Sequence, residues 1–146
     1  MKLSPREIKK IRDYFARQKD VILVYLYGSF AKEKTHKQSD LDFGILFDPP
    51  IKTYYRLGEI ANDLSDLKLP AEPDVRNISL KESPTYLMNV IQGKVLYSKD
   101  EGRRIGFEVI VMNTYRDTEY LRKLSYQYMS KRLKEGKYGF REKFVI

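Results

Sequence analysis

The sequence predicts a small β-sheet packed with helices, α+β or α/β by the order of its elements, followed by a long helical C-terminal segment. Three observations predict it. Strand-like and helical hydrophobic spacings interleave along the first two thirds of the chain. Capping, proline and glycine signals fall where one spacing gives way to the other. Beyond residue 100, Ile105, Val109 and Met112, then Leu121, Leu124 and Tyr128, recur in steps of three and four.

Each element has its own justification. Ser4-Pro5-Arg6-Glu7 is a capping box with proline at the first helical position, so a helix starts there. Ile8, Ile11, Tyr14 and Phe15 recur at helical spacing, and the helix is expected to end near Gln18-Lys19-Asp20. Val21 to Tyr27 is a continuous β-branched and aromatic run, which reads as a buried strand, and Gly28 stops it. Residues 30–39 read as a short helical turn and a polar loop. Leu41 to Phe47 is a second strand, closed by Asp48-Pro49-Pro50. A helix is expected over about residues 52–67, with Tyr55, Leu57, Ile60, Leu64 and Leu67 on its apolar side. Pro70 and Pro73 bracket a linker into a third strand, residues 74–80. Ser83-Pro84 opens a helix that Gly93 closes, with Tyr86, Leu87, Val90 and Ile91 inward. Residues 94–98 form a short fourth strand. In the last segment Ile105, Val109 and Met112, then Leu121, Leu124 and Tyr128, mark the helical stripe, and a break is expected near Asn113-Thr114.

Composition bounds the function. The chain has 146 residues, 42% hydrophobic and 33% charged, which suits a single domain: a core of about residues 1–98, a helical segment of about 99–136 and a short tail, 137–146. With no cysteine, disulfides, thiolate chemistry and cysteine-based zinc sites are excluded. Met1-Lys2-Leu3-Ser4-Pro5 lacks the apolar core of a signal peptide, and no apolar run is long enough to cross a bilayer, so the expectation is a cytoplasmic protein without membrane partners. The net charge of +8 favours polyanions: nucleic acid, acidic proteins or a nucleotide triphosphate.

The chemistry sits in one constellation: Gly28-Ser29, ten residues, then Asp40-Leu41-Asp42, with Asp74 on the next strand. Glycine lets the backbone approach an anion closely. The exposed amides of a turn, with a serine hydroxyl, make a phosphate cradle. Asp40 and Asp42 are two apart on a strand and so project from one face. Two such carboxylates repel unless one takes a proton or a cation lies between them. Mg²⁺ bound to substrate phosphates is the natural cation, and a third carboxylate, Asp74, would complete a two-metal site. Glu72 is its nearest rival, but Pro73 argues against a strand reaching that far.

Leu26-Tyr27-Gly28-Ser29-Phe30-Ala31 followed by Ser39-Asp40-Leu41-Asp42-Phe43 resembles the signature of the polymerase-β-like nucleotidyltransferases. It is similar in particular to the minimal nucleotidyltransferases, or MNT proteins, encoded beside HEPN-domain partners in prokaryotes. Residues 117–124 look like the C-terminal helix of the antitoxin branch. Glu33 departs from the pattern, where family members often carry glycine. The resemblance implies an α+β nucleotidyltransferase fold with a mixed sheet. It implies that Gly28 and Ser29 hold the β- and γ-phosphates of ATP and that Asp40 and Asp42 bind two Mg²⁺ ions. Asp74 would bind the catalytic metal and help deprotonate the acceptor.

The implied function is an antitoxin that transfers AMP from ATP to a hydroxyl, expected to be a tyrosine's, of a HEPN ribonuclease toxin. The alternatives are a nucleotidyltransferase acting on a small molecule or an RNA end, for which the +8 charge speaks, and a non-catalytic antitoxin acting by binding alone. Lys32, Lys34 and Lys37 read as a solvated basic loop and His36 as exposed. Most of the twelve tyrosines, Tyr25 and Tyr86 among them, read as packing residues. Tyr120, Tyr126 and Tyr128, interleaved with Arg122, Lys123, Lys131 and Arg132, fit either a partner surface or a half-buried helix.

Overall fold

The computed structural model describes residues 2–32 and 39–136. The Ser4–Glu7 capping box forms: the Glu7 amide donates to the Ser4 hydroxyl at 3.2 Å, and the Ser4 amide to the Glu7 carboxylate at 2.8 Å. It opens helix α1, Pro5–Ala16, which buries Ile11, Tyr14 and Phe15. The next run becomes strand β1, Val21–Tyr27, buried at every residue. That burial follows from position. β1 lies inside the sheet, with β2, Leu41–Phe47, on one side and β4, Lys94–Ser98, on the other, both antiparallel to it.

Strand β3, Pro73–Asn77, pairs with β2 in parallel, giving a mixed sheet in the order β3-β2-β1-β4. Helix α2, Tyr55–Ser65, makes the crossover that a parallel pair requires. Strand β3 starts at Pro73 and stops at Asn77, not at residues 74 and 80 as the sequence suggests. Proline is tolerated because β3 is an edge strand: the Glu72 carbonyl accepts from the Leu41 amide at 2.9 Å, so position 73 points its missing N–H away from β2. The ladder ends one bond later, where the Ile78 amide donates to the Ile45 carbonyl at 2.9 Å.

Each face of the sheet carries its own core. Helices α1 and α2 cover Val24, Leu26, Leu41, Phe43 and Ile45. Arg56 of α2 ties this layer down, donating to both Asp20 oxygens at 2.9 Å and to Gln18 at 2.9 Å. Helix α3, Pro84–Ile91, and helix α4, Glu101–Asp117, cover Leu23, Tyr25 and Tyr27 on the other face. Tyr25, fully buried, donates its hydroxyl to Glu108 at 2.5 Å. Tyr55 stands 77% exposed, in contrast to the apolar side expected for it, because α2 begins only there and turns its first residues to solvent.

The C-terminal stripe also differs from expectation. Helix α4 buries Phe107 and Val111, and leaves Ile105, Val109 and Met112 exposed. The helix breaks at Thr118, past Asn113-Thr114, where the backbone leaves helical geometry at φ −93°, ψ 0° and the Thr118 hydroxyl adds bonds to the Thr114 and Tyr115 carbonyls at 3.1 Å. Helix α5, Glu119–Lys134, then buries no residue; Tyr120, Leu121, Leu124, Tyr126, Met129 and Leu133 are all exposed. Arg122 fastens the junction, stacking 3.7 Å from the Tyr115 ring centre and donating to the Tyr115 carbonyl at 2.8 Å. No helix among the described residues is long and apolar enough to cross a membrane.

Candidate nucleotide and metal site

The site begins where β1 ends. Gly28 takes φ +76°, a conformation that an L side chain resists, and the Lys32 amide returns to the Gly28 carbonyl at 3.2 Å, closing a single turn that contains Ser29 half-buried. A Cβ at Gly28 would collide with Oδ2 of Asp42 and stand 3.3 Å from its Cγ. Glycine is needed here twice over, for the turn and for the close approach of backbone to carboxylate. Glu33, Lys34, His36 and Lys37 lie outside the described residues.

The parallel pairing of β2 with β3 sets Asp42 opposite Asp74, a strand spacing of about 4.8 Å away. Both side chains lie on the sheet face that carries α3 and α4. Asp42 is pushed up to about pKa 6, first by burial, then by the charge of Asp74, by a hydrogen bond shared with Asp74 and by the charge of Asp40; Arg76 pulls the other way. Asp40 stands one residue ahead of β2 and is exposed. The structure thus pairs Asp42 with Asp74 and leaves Asp40 at the rim, within electrostatic reach. Among the described residues, no three acidic or histidine groups are gathered closely enough to hold a metal ion as they stand. The donor set nonetheless suits one. Hard carboxylate oxygens crowded against each other, one of them kept protonated up to about pH 6, create the charge repulsion that a divalent cation relieves.

Residues that sequence reasoning passed over surround the pair. Arg76 Nε donates to Asp74 Oδ2 at 3.3 Å. The Tyr27 and Tyr86 hydroxyls meet at 3.1 Å, and burial raises the pKa of both. A cavity of about 340 Å³ opens along the free edge of β3, next to Arg76. Arg76 had a legible signal, since it lies two residues from Asp74 and so shares its face.

The fold places the chain among α+β nucleotidyltransferases. Residues 9–102 match the family model for polymerase beta nucleotidyltransferases, well over half of the chain, and the chain belongs to that family. No curated protein sequence matches significantly. Three solved structures show the same fold. A chain of a MntA–HpeT toxin–antitoxin complex carrying a double Asp-to-Glu substitution is 21% identical, with a TM-score of 0.68 over 85% of this chain and 98% of that one. A chain of a toxin–antitoxin complex with AMP-PNP is 20% identical, TM-score 0.67, over 88% and 99%. A chain of the tri-AMPylated Shewanella oneidensis HEPN toxin in complex with MNT antitoxin is 18% identical, TM-score 0.65, over 86% and 97%.

Proposed function

We propose that this protein is an antitoxin that transfers AMP from ATP to a hydroxyl, a tyrosine's in the first round, of a HEPN-domain ribonuclease toxin and so silences it. One observation carries the reading: Asp42 and Asp74 face each other beside the Gly28 turn, in a nucleotidyltransferase-family chain whose fold matches that of toxin–antitoxin proteins almost end to end. The amides of the Gly28–Ser29 turn and the Ser29 hydroxyl bind the β- and γ-phosphates. Asp40, Asp42 and Asp74 would hold Mg²⁺. When bound, the metal supplies positive charge to the phosphates and to the crowded carboxylates.

The acceptor oxygen forms a bond to the α-phosphorus, its proton passes to the Asp74 carboxylate, and the bond to pyrophosphate breaks with the electron pair leaving on pyrophosphate. The neighbouring complex holds a tri-AMPylated toxin, which supports repeated transfer; in our reading each later unit is added to the last. The exposed apolar residues of α5 favour a protein partner over a small molecule. Dependence on ATP and on a toxin of the same cell goes with a cytoplasmic location.

Incubation with a HEPN toxin, Mg²⁺ and ATP labelled at the α- or the γ-phosphate tests the reading. Label from the α-position on the toxin is expected, with none from the γ-position. Transfer of γ-label, or α-label on RNA or a small molecule alone, would overturn it.

A further inference from the structure

Across the sheet, the order of parts runs from the Gly28 turn at the end of β1, through Asp42 on β2 and Asp74 on β3, to the cavity along the free edge of β3. In-line displacement requires the acceptor and the leaving pyrophosphate on opposite sides of the α-phosphorus. With the leaving phosphates at the Gly28 turn, the acceptor enters from the side of β3. We infer that this cavity receives the acceptor, and that Arg76 binds the phosphodiester of an AMP unit already attached to it. The inference rests on the function proposed above and names the substrate class of its later rounds: an acceptor that ends in a nucleotide.

The walls fit that class. Tyr54, Leu57, Val75 and Tyr86 offer ring faces and apolar surface, to which a flat base or a tyrosine ring can pack. Asn77, Glu82 and Arg76 are the polar members. Arg76 is the one cation among them, and among the described residues its guanidinium makes no ion pair besides that with Asp74. A bare tyrosine hydroxyl has no charge for it to meet. A phosphodiester does, and guanidinium is the side chain best matched to phosphate. Glu82 in the same wall repels an anion, so removing Arg76 leaves the cavity with a net negative wall. The Arg76 guanidinium already lies 3.3 Å from Asp74 Oδ2, so a phosphodiester held by Arg76 keeps the ribose hydroxyl of the same unit close to that carboxylate. In each later round that ribose hydroxyl oxygen bonds to the α-phosphorus of a new ATP, its proton passes to Asp74, and pyrophosphate leaves with the electron pair of the broken bond.

Intact-mass analysis of a HEPN toxin incubated with the full chain, ATP and Mg²⁺ counts AMP units against time. For Arg76→Gln, the ratio of the second-addition rate to the first should fall about tenfold, the effect of one lost charge-assisted contact. Arg76→Lys should recover part of it. An unchanged ratio, with both rates slowed equally, would make Arg76 only a support for Asp74 and overturn the inference, as would a wild-type protein that adds one unit and stops. A wild-type protein that adds none would instead overturn the proposed function, and the inference with it. Because the Arg76 side chain is 60% exposed, both variants should melt as the wild type does.

Discussion

Replacing Asp42 by asparagine should stabilise the metal-free protein above pH 6. The structure sets both sign and size. Burial and the neighbouring charges of Asp74 and Asp40 raise the Asp42 carboxyl from 3.8 to about 6. A raised folded value means that the native state holds its proton more tightly than the unfolded chain. The stability this confers is complete below about pH 4 and is lost as pH rises through 6. Two units correspond to at most about 3 kcal/mol, and because the group is only partly buried, solvent screening cuts this to about 1 kcal/mol. The asparagine amide keeps a donor for the Asp74 carboxylate and carries no charge. Urea unfolding in EDTA at pH 5 and pH 8 measures the effect. The variant should be about 1 kcal/mol more stable than wild type at pH 8, a melting shift of about 2–4 °C, with a smaller gain at pH 5. Equal stability at both pH values, or a less stable variant at pH 8, would refute the crowding of carboxylates on which the site rests.

Other predictions follow from separate contacts. Gly28→Ala places a methyl group against Asp42 at a positive φ, so it should cost about 1–2 kcal/mol in urea unfolding and abolish AMP transfer. Asp20→Asn removes the bidentate partner of Arg56, whose hydrogen bonds hold Asp20 below its ordinary 3.8. The cost, about 1 kcal/mol at pH 7 after screening, should be full above pH 3.8 and vanish as pH falls through the lowered folded value, because a depressed carboxylate stabilises only where it is ionised. Leu121→Asp with Leu124→Asp alters exposed positions of α5, so melting should stay within about 1–2 °C of wild type. Toxin affinity, by calorimetric titration, should drop about tenfold or more; unchanged affinity would put the partner surface elsewhere.

Much of the fold was legible because three of its four strands are rich in β-branched, aromatic and other apolar side chains, β1 without interruption. β1, β2 and β4 fall at the expected residues, where β-branched and aromatic side chains meet hard stops at Gly28, Asp48 and Gly93. β3 was less legible, since a short edge strand needs little hydrophobicity and tolerates a proline. α4 misled because Ile105, Phe107, Val109, Ile110, Val111 and Met112 are apolar nearly all round. Periodicity then selects no face, and the sheet's need for Phe107 and Val111 decides. The Gly28–Ser29 and Asp40–Asp42 elements of the site could be read from spacing. The pairing of Asp42 with Asp74 depends on parallel register between strands separated by a helix, which no local pattern encodes. Arg76 and its cavity depend on the same register.

Equilibrium binding of AMP-PNP to the full chain, with and without Mg²⁺, tests the account most directly. Tight binding should require Mg²⁺ and should be lost in both Asp40→Asn with Asp42→Asn and in Asp74→Asn. Binding that is indifferent to Mg²⁺, or that survives loss of these carboxylates, would contradict it.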